Sequence, residues 1–160
     1  MALLIVGIGD CKVSKDPSDV LVTHALGSCI AVLLYDPVAR VAGLLHYMLP
    51  KSSLDAGKAD KSPFMFADTG IPLLLRNACE LGAAKSRLVV MAAGGAQMLN
   101  PSWTFNIGQR NHVAMKMIFG EAGLIVHREE IGGTNSRTVR IDVATGRMHM
   151  QVLRQPDPKQ

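Results

Sequence analysis

Aromatic residues are scarce: they make up 4% of the 160 residues, with one tryptophan, two tyrosines and four phenylalanines. Core volume must therefore come from Leu, Ile, Val, Ala and Met. The chain also lacks a dense Lys/Arg block interleaved with aromatics. A net charge of +4 suits an acidic partner surface but is too weak a footprint for nucleic acid. No apolar run reaches the roughly 18 residues that a membrane-embedded helix needs. The opening "MALLIVGIGD" has no basic stretch and meets Gly-Asp after a few apolar residues, so it reads as a first strand and not as a signal peptide. Cysteines are few. Cys11, Cys29 and Cys79 are odd in number and widely spaced, which gives neither a disulfide framework nor a zinc-binding pattern. Reduced thiols, a cytoplasmic location and no metal are expected.

What the chain does have is a series of short apolar runs bounded by Gly, Pro and Asp. Residues 3–8, 18–24, 29–36 and 40–49 are strand-like. "YDPVAR" (35–40) is a tight link, which makes 29–36 and 40–49 a hairpin. The polar stretch 51–63 reads as a surface loop. A helix is expected from Asp68 to Leu81, capped by Asp68 or Thr69, with Pro72 in its first turn and Gly82 just past its end. Residues 86–99 read as a buried strand running into a Gly-Gly turn. A second helix is expected over 109–121, with an apolar stripe of Ile107, Val113, Met117 and Ile118. Strands over 124–133, 137–145 and 147–153 follow, the last two joined across "ATGR", and 154–160 reads as a frayed tail. The order is strands, helix, strand, helix, strands. That is not the regular alternation of a doubly wound sheet, and it predicts an α+β fold in a single domain over 1–160 with two main helices on mixed strands.

One stretch invites chemistry. In "LVTHALGSCIAVLLYD" (21–36) a Gly-Ser turn delivers Cys29 to the head of an apolar run. A free cysteine in such a run is ordinarily a small buried hydrophobe. Here it sits at the start of the run. Gly27 permits close approach of a ligand, and the backbone around Ser28 and Cys29 offers N–H groups to an oxyanion. A nucleophilic thiol also needs a base. His24, His46, His112, His127 and His149 are the candidates, and His46 on the partner strand of the hairpin is the one without an obvious structural use. The base in turn needs an orienting group, for which Thr23, Asp36 or Asp142 is available.

The segment "VTHALGSCIAVLLYDPVARVAGLLHYMLP" (22–50) resembles the signature of the CheD family, the chemoreceptor glutamine deamidases. The resemblance rests on Thr23, on Leu26-Gly27-Ser28-Cys29, on Asp36-Pro37 and on His46 before Met48-Leu49-Pro50. It continues through "FADTGIPLLL" (66–75), "GGAQML" (94–99), "NIGQRN" (106–111), "IGG" (131–133) and "ATGR" (144–147). It implies a triad of Cys29 as nucleophile, His46 as general base and acid, and Thr23 orienting His46, with backbone of Gly27 and Ser28 at the oxyanion. It implies a three-layer α/β/β sandwich similar to the deamidase domain of cytotoxic necrotizing factors. It further implies chemoreceptor cytoplasmic domains as substrate, a CheC-type phosphatase as a possible partner, a methylesterase side activity and no cofactor. His24 stands where a plainer apolar residue is expected, which makes it a candidate accessory group. The segment "GGTNSRTV" (132–139) lacks the compact Gly-Arg pair of this loop. A non-catalytic adaptor that docks to receptors or to such a phosphatase is the alternative, and a cysteine hydrolase acting on another protein amide or ester is a third.

Overall fold

A computed structural model describes residues 2–97 and 106–153. The expected tail at 154–160, and the end of the expected strand at 98–99, lie outside the described residues.

Among the described residues, nine strands form two mixed sheets. The five-stranded sheet has the order β2-β5-β4-β6-β7, built from β2 (Asp10–Ser14), β4 (Ile30–Asp36), β5 (Val41–Tyr47), β6 (Val89–Gly94) and β7 (Arg128–Ile131). The four-stranded sheet has the order β1-β3-β8-β9, built from β1 (Ala2–Ile5), β3 (Asp19–Leu26), β8 (Ser136–Asp142) and β9 (Met148–Leu153). β1 runs parallel to β3 and β7 parallel to β6; the other pairs are antiparallel. The architecture is α+β.

β4 is buried along its whole length because both of its faces are covered. Ile30, Val32 and Leu34 face the helices α2 (Ala67–Glu80) and α3 (Ile107–Ala122), and pack with Ile71, Leu74, Met115 and Phe119. Ala31, Leu33 and Tyr35 face the other sheet and pack with Leu21, Leu26, Val139 and Ile141. The hairpin of β4 and β5 forms around Asp36, whose carboxylate accepts from the Val38 and Ala39 N–H groups.

Several expectations are corrected. The stretch 51–63 contains a short helix, α1 (Ala56–Lys61), started by Asp55, which accepts from the Lys58 N–H. Neither Asp68 nor Thr69 caps α2, which begins one residue earlier after Phe66. Asp68 instead accepts from the N–H and hydroxyl of Ser52, and Thr69 donates to the Pro63 carbonyl. Pro72 is consequently the sixth residue of α2 and lies inside it. β2 went unforeseen because it is short and polar, and it forms only as an edge against β5. In α3 the expected stripe is wrong in part: Ile118 packs against the core, but Val113 and Met117 are exposed, and Gly108, Asn111, Ala114, Met115 and Phe119 are the buried residues.

Candidate active site

The site lies between the two sheets, where the chain crosses from β3 to β4. A bulge in β3 between Thr23 and Leu26 starts the crossing, with Ala25 at φ +56°. The extra residue lets Thr23 and Leu26 both point inward, while His24 and Ala25 are turned out to solvent. His24 therefore lies on the outer side of the four-stranded sheet, in a groove with Val22, Arg140 and His149, and not beside the thiol. That excludes it from the accessory position considered for it.

Gly27, Ser28 and Cys29 then bridge the sheets. The register of the hairpin pairs Ala31 with His46, so Cys29 enters β4 two residues before the partner of His46. His46 lies on the inner face of β5 with Ala42 and Leu44, and Thr23 on the inner face of β3 with Leu21. The two meet across the gap. Thr23 Oγ1 is 2.7 Å from His46 Nδ1 and donates to the Val6 carbonyl at 2.6 Å. A hydroxyl has one proton to give, and Val6 takes it. Nδ1 must therefore carry the hydrogen and donate to Oγ1, which leaves the lone pair on Nε2. Nε2 is buried and has no hydrogen-bond partner among the described residues, the Cys29 thiol included.

Burial sets the protonation states. It pulls the His46 imidazole down to about 4. It pushes the Cys29 thiol up to about 11, offset in part by the Cys29 backbone N–H. The resting pair is thus a neutral thiol and a neutral imidazole with a free basic nitrogen.

The other candidates are engaged elsewhere. His112 pairs with Glu129 at 3.1 Å, His127 accepts from the Val90 N–H, and His149 pairs with Asp142 at 3.3 Å. Asp36 is held by Arg87.

The backbone of the thiol segment is fixed by residues to which the sequence reading assigned no role. The Gly27 carbonyl accepts from the Ala96 N–H and the Cys29 carbonyl from the Gly95 N–H, each at 2.9 Å. A Cβ on Gly94, at φ +114°, would fall on the Cys29 carbonyl. The Ser28 carbonyl accepts from Asn111 Nδ2. The signal for Asn111 was a polar residue four before Met115 and eight before Phe119, on the buried face of α3. Groups of three or more His, Cys, Asp or Glu arranged to hold a metal ion are absent among the described residues. No described helix is long and apolar enough to cross a membrane.

Comparison with known proteins places this chain in a family. Residues 48–152 match the family model for CheD chemotactic sensory transduction. A Solibacter usitatus protein described as "probable chemoreceptor glutamine deamidase CheD" is 49% identical over 94% of this chain and 89% of its own. A protein of the same description from Syntrophus aciditrophicus is 48% identical over 94% of each chain. One from Pyrococcus abyssi is 38% identical over 91% of this chain and 89% of its own. A solved Neisseria meningitidis protein of the DUF152 family has a TM-score of 0.43 at 11% identity, covering 94% of this chain and 74% of that one, a likeness too distant to bear on the site. With a family model matched over most of its length and relatives near half identical across nearly all of it, the chain belongs to the CheD family.

Proposed function

We propose that the protein is a cytoplasmic glutamine deamidase acting on chemoreceptor cytoplasmic domains in chemotaxis. The observation that carries this reading is His46, held by Thr23 in the tautomer that leaves a free, buried Nε2 next to the strand entry of Cys29. In the reaction, a glutamine side chain enters between the sheets and brings the thiol to Nε2. As Cys29 Sγ bonds to the amide carbon, the thiol proton passes to Nε2 and the carbonyl oxygen becomes an oxyanion, met by backbone N–H groups around Ser28 and Cys29. His46 returns the proton to the amide nitrogen, the C–N bond breaks and ammonia leaves. Water, deprotonated by Nε2, then attacks the thioester, and the proton returns to sulfur as glutamate is released. No metal or organic cofactor is needed for these steps. Hydrolysis of receptor methyl esters would follow the same route with methanol leaving. The helix–sheet–sheet layering, similar to the deamidase domain of cytotoxic necrotizing factors, belongs to the same reading, as does a CheC-type phosphatase partner.

A second reading is a non-catalytic adaptor on receptors or on such a phosphatase. The protonated, partly buried thiol with no bond to His46 is what favours it. Incubating wild type and Cys29→Ala with receptor cytoplasmic fragments, and mapping Gln-to-Glu conversion by peptide mass spectrometry, separates the two. Deamidation predicts conversion by wild type alone. No wild-type conversion, or equal conversion by the variant, sinks the deamidase.

A further inference from the structure

Asn111 is fully buried on the core-facing side of α3. Its Nδ2 donates twice, to the Ser28 and Met48 carbonyls, each at 2.9 Å. Its Oδ1 is buried with no partner among the described residues. A buried unpartnered acceptor costs about 1–3 kcal/mol, so an ordinary packing residue would sit there at less cost. Both targets are acceptors, and a flipped amide would set Oδ1 against two carbonyl oxygens. Only a side chain with two N–H bonds on one nitrogen serves. The targets also flank the reacting groups: Ser28 precedes the nucleophile, and Met48 lies two residues past His46.

The Ser28–Cys29 peptide is the link to chemistry. A trans peptide points its C=O and N–H in opposite directions. A Ser28 carbonyl drawn to α3 therefore turns the Cys29 N–H away from α3, and that N–H is the group that offsets, in part, the effect of burial on the Cys29 thiol. The flanking carbonyls of Gly27 and Cys29 are tied down separately, so the orientation of the peptide between them depends on Asn111. We infer that Asn111 is a positioning residue: by holding the Ser28 carbonyl it aims the Cys29 amide N–H at the sulfur and at the oxyanion that forms beside it. The oxyanion part of that role rests on the deamidation reading; the part concerning the sulfur does not. Titratable side chains facing this segment are His46 and Tyr47 on β5, the latter coupled electrostatically to Cys29, and Arg137 on β8, whose Nη1 and Nη2 donate to the Gly94 and Gly132 carbonyls while its Nε is buried with no partner among the described residues. On α3, His112 is taken up by Glu129.

The test is the pH profile of Cys29 alkylation by iodoacetamide, followed by peptide mapping on the full chain, with receptor-fragment deamidation measured alongside. In Asn111→Ala the alkylation midpoint should move up on the order of one pH unit, because the thiolate loses an aimed donor. Deamidation kcat should fall by about two to three orders of magnitude while KM stays within about 3-fold. Asn111→Ser, a smaller perturbation, serves if the alanine variant does not melt cooperatively, and should move the midpoint in the same direction. Tyr47→Phe removes the hydroxyl bonded to the Asn111 carbonyl at 2.7 Å but keeps both Nδ2 contacts, and should leave the midpoint in place. A wild-type midpoint in the Asn111 variants, or an equal shift in Tyr47→Phe, overturns the inference. If wild type converts no receptor glutamine, the deamidase reading fails, and the alkylation midpoint still decides the role of Asn111.

Discussion

Thr23 Oγ1 lies 2.6 Å from the Val6 carbonyl and 2.7 Å from Nδ1 of His46, and those two contacts together choose the tautomer of the imidazole. Replacing Thr23 by Val removes the acceptor and strands a buried N–H, at about 1–3 kcal/mol. If that cost falls on the imidazolium formed during proton transfer, kcat for glutamine conversion drops about 10- to 100-fold. Thr23→Ser keeps the hydroxyl and should stay near wild type; steady-state kinetics on both variants checks this. At this scale the sequence was informative where residue type and chemistry coincide. A Gly-Ser turn before a cysteine, and a histidine inside an apolar strand, are visible as anomalies. Asn111 was not, because an asparagine early in a helix reads as a solvated residue until the helix's buried face is known. His24 misled for the converse reason: it adjoins Thr23 in sequence, and only the bulge, with Ala25 at positive φ, turns it to the outside.

Secondary structure was legible where pattern and turn chemistry agreed. The hairpin of β4 and β5 follows from apolar runs around Asp-Pro, and Gly82, at φ +108°, stands just past the end of α2. It was illegible where tertiary contacts decide. β2 exists because β5 offers it an edge, and the start of α2 moved because Asp68 bonds Ser52 across a turn. The face of α3 was misjudged because apolarity alone selects Val113 and Met117, whereas the buried stripe includes Gly108 and Asn111. Gly108 is there for clearance, since a Cβ would strike the Gly95 carbonyl. The same reasoning separates two glycines. Gly94→Ala would push a methyl into the Cys29 carbonyl at a positive φ, and should destabilise by about 2–5 kcal/mol and abolish conversion. Gly120→Ala, exposed in α3 with nothing near its Cβ position, should stabilise by about 0.5–1 kcal/mol and leave activity alone. Urea denaturation of both variants measures the contrast.

Across the whole molecule, one buried carboxylate ties the hairpin to the connection between α2 and β6. Asp36 accepts from the Val38 and Ala39 N–H groups of its own turn, and from the Ala84 N–H and the Arg87 guanidinium. The Arg87 contact, opposed by burial, holds the Asp36 carboxyl well below the usual carboxylate range. Arg87 is partly exposed, so its share is screened, and Asp36→Ala should cost about 2–4 kcal/mol, most of it from stranded N–H groups. The pH dependence has a definite sign. A carboxyl depressed by folding lends stability that is present above its unfolded value near 3.8 and is lost as pH falls toward its folded value. His46, depressed by burial, acts the same way: its contribution is present above about 6.5 and is lost as pH falls through about 4. Thermal melts should therefore show the protein losing stability below about pH 6, with a smaller loss there in His46→Ala. The fold thus holds His46 neutral, with Nε2 unpartnered among the described residues, which is the state the proposed proton transfer from Cys29 requires. The most direct test of that claim is receptor-glutamine conversion by His46→Ala beside His24→Ala. Conversion should be abolished in the first and unchanged in the second; conversion that survives the loss of His46 but not of His24 would contradict the account.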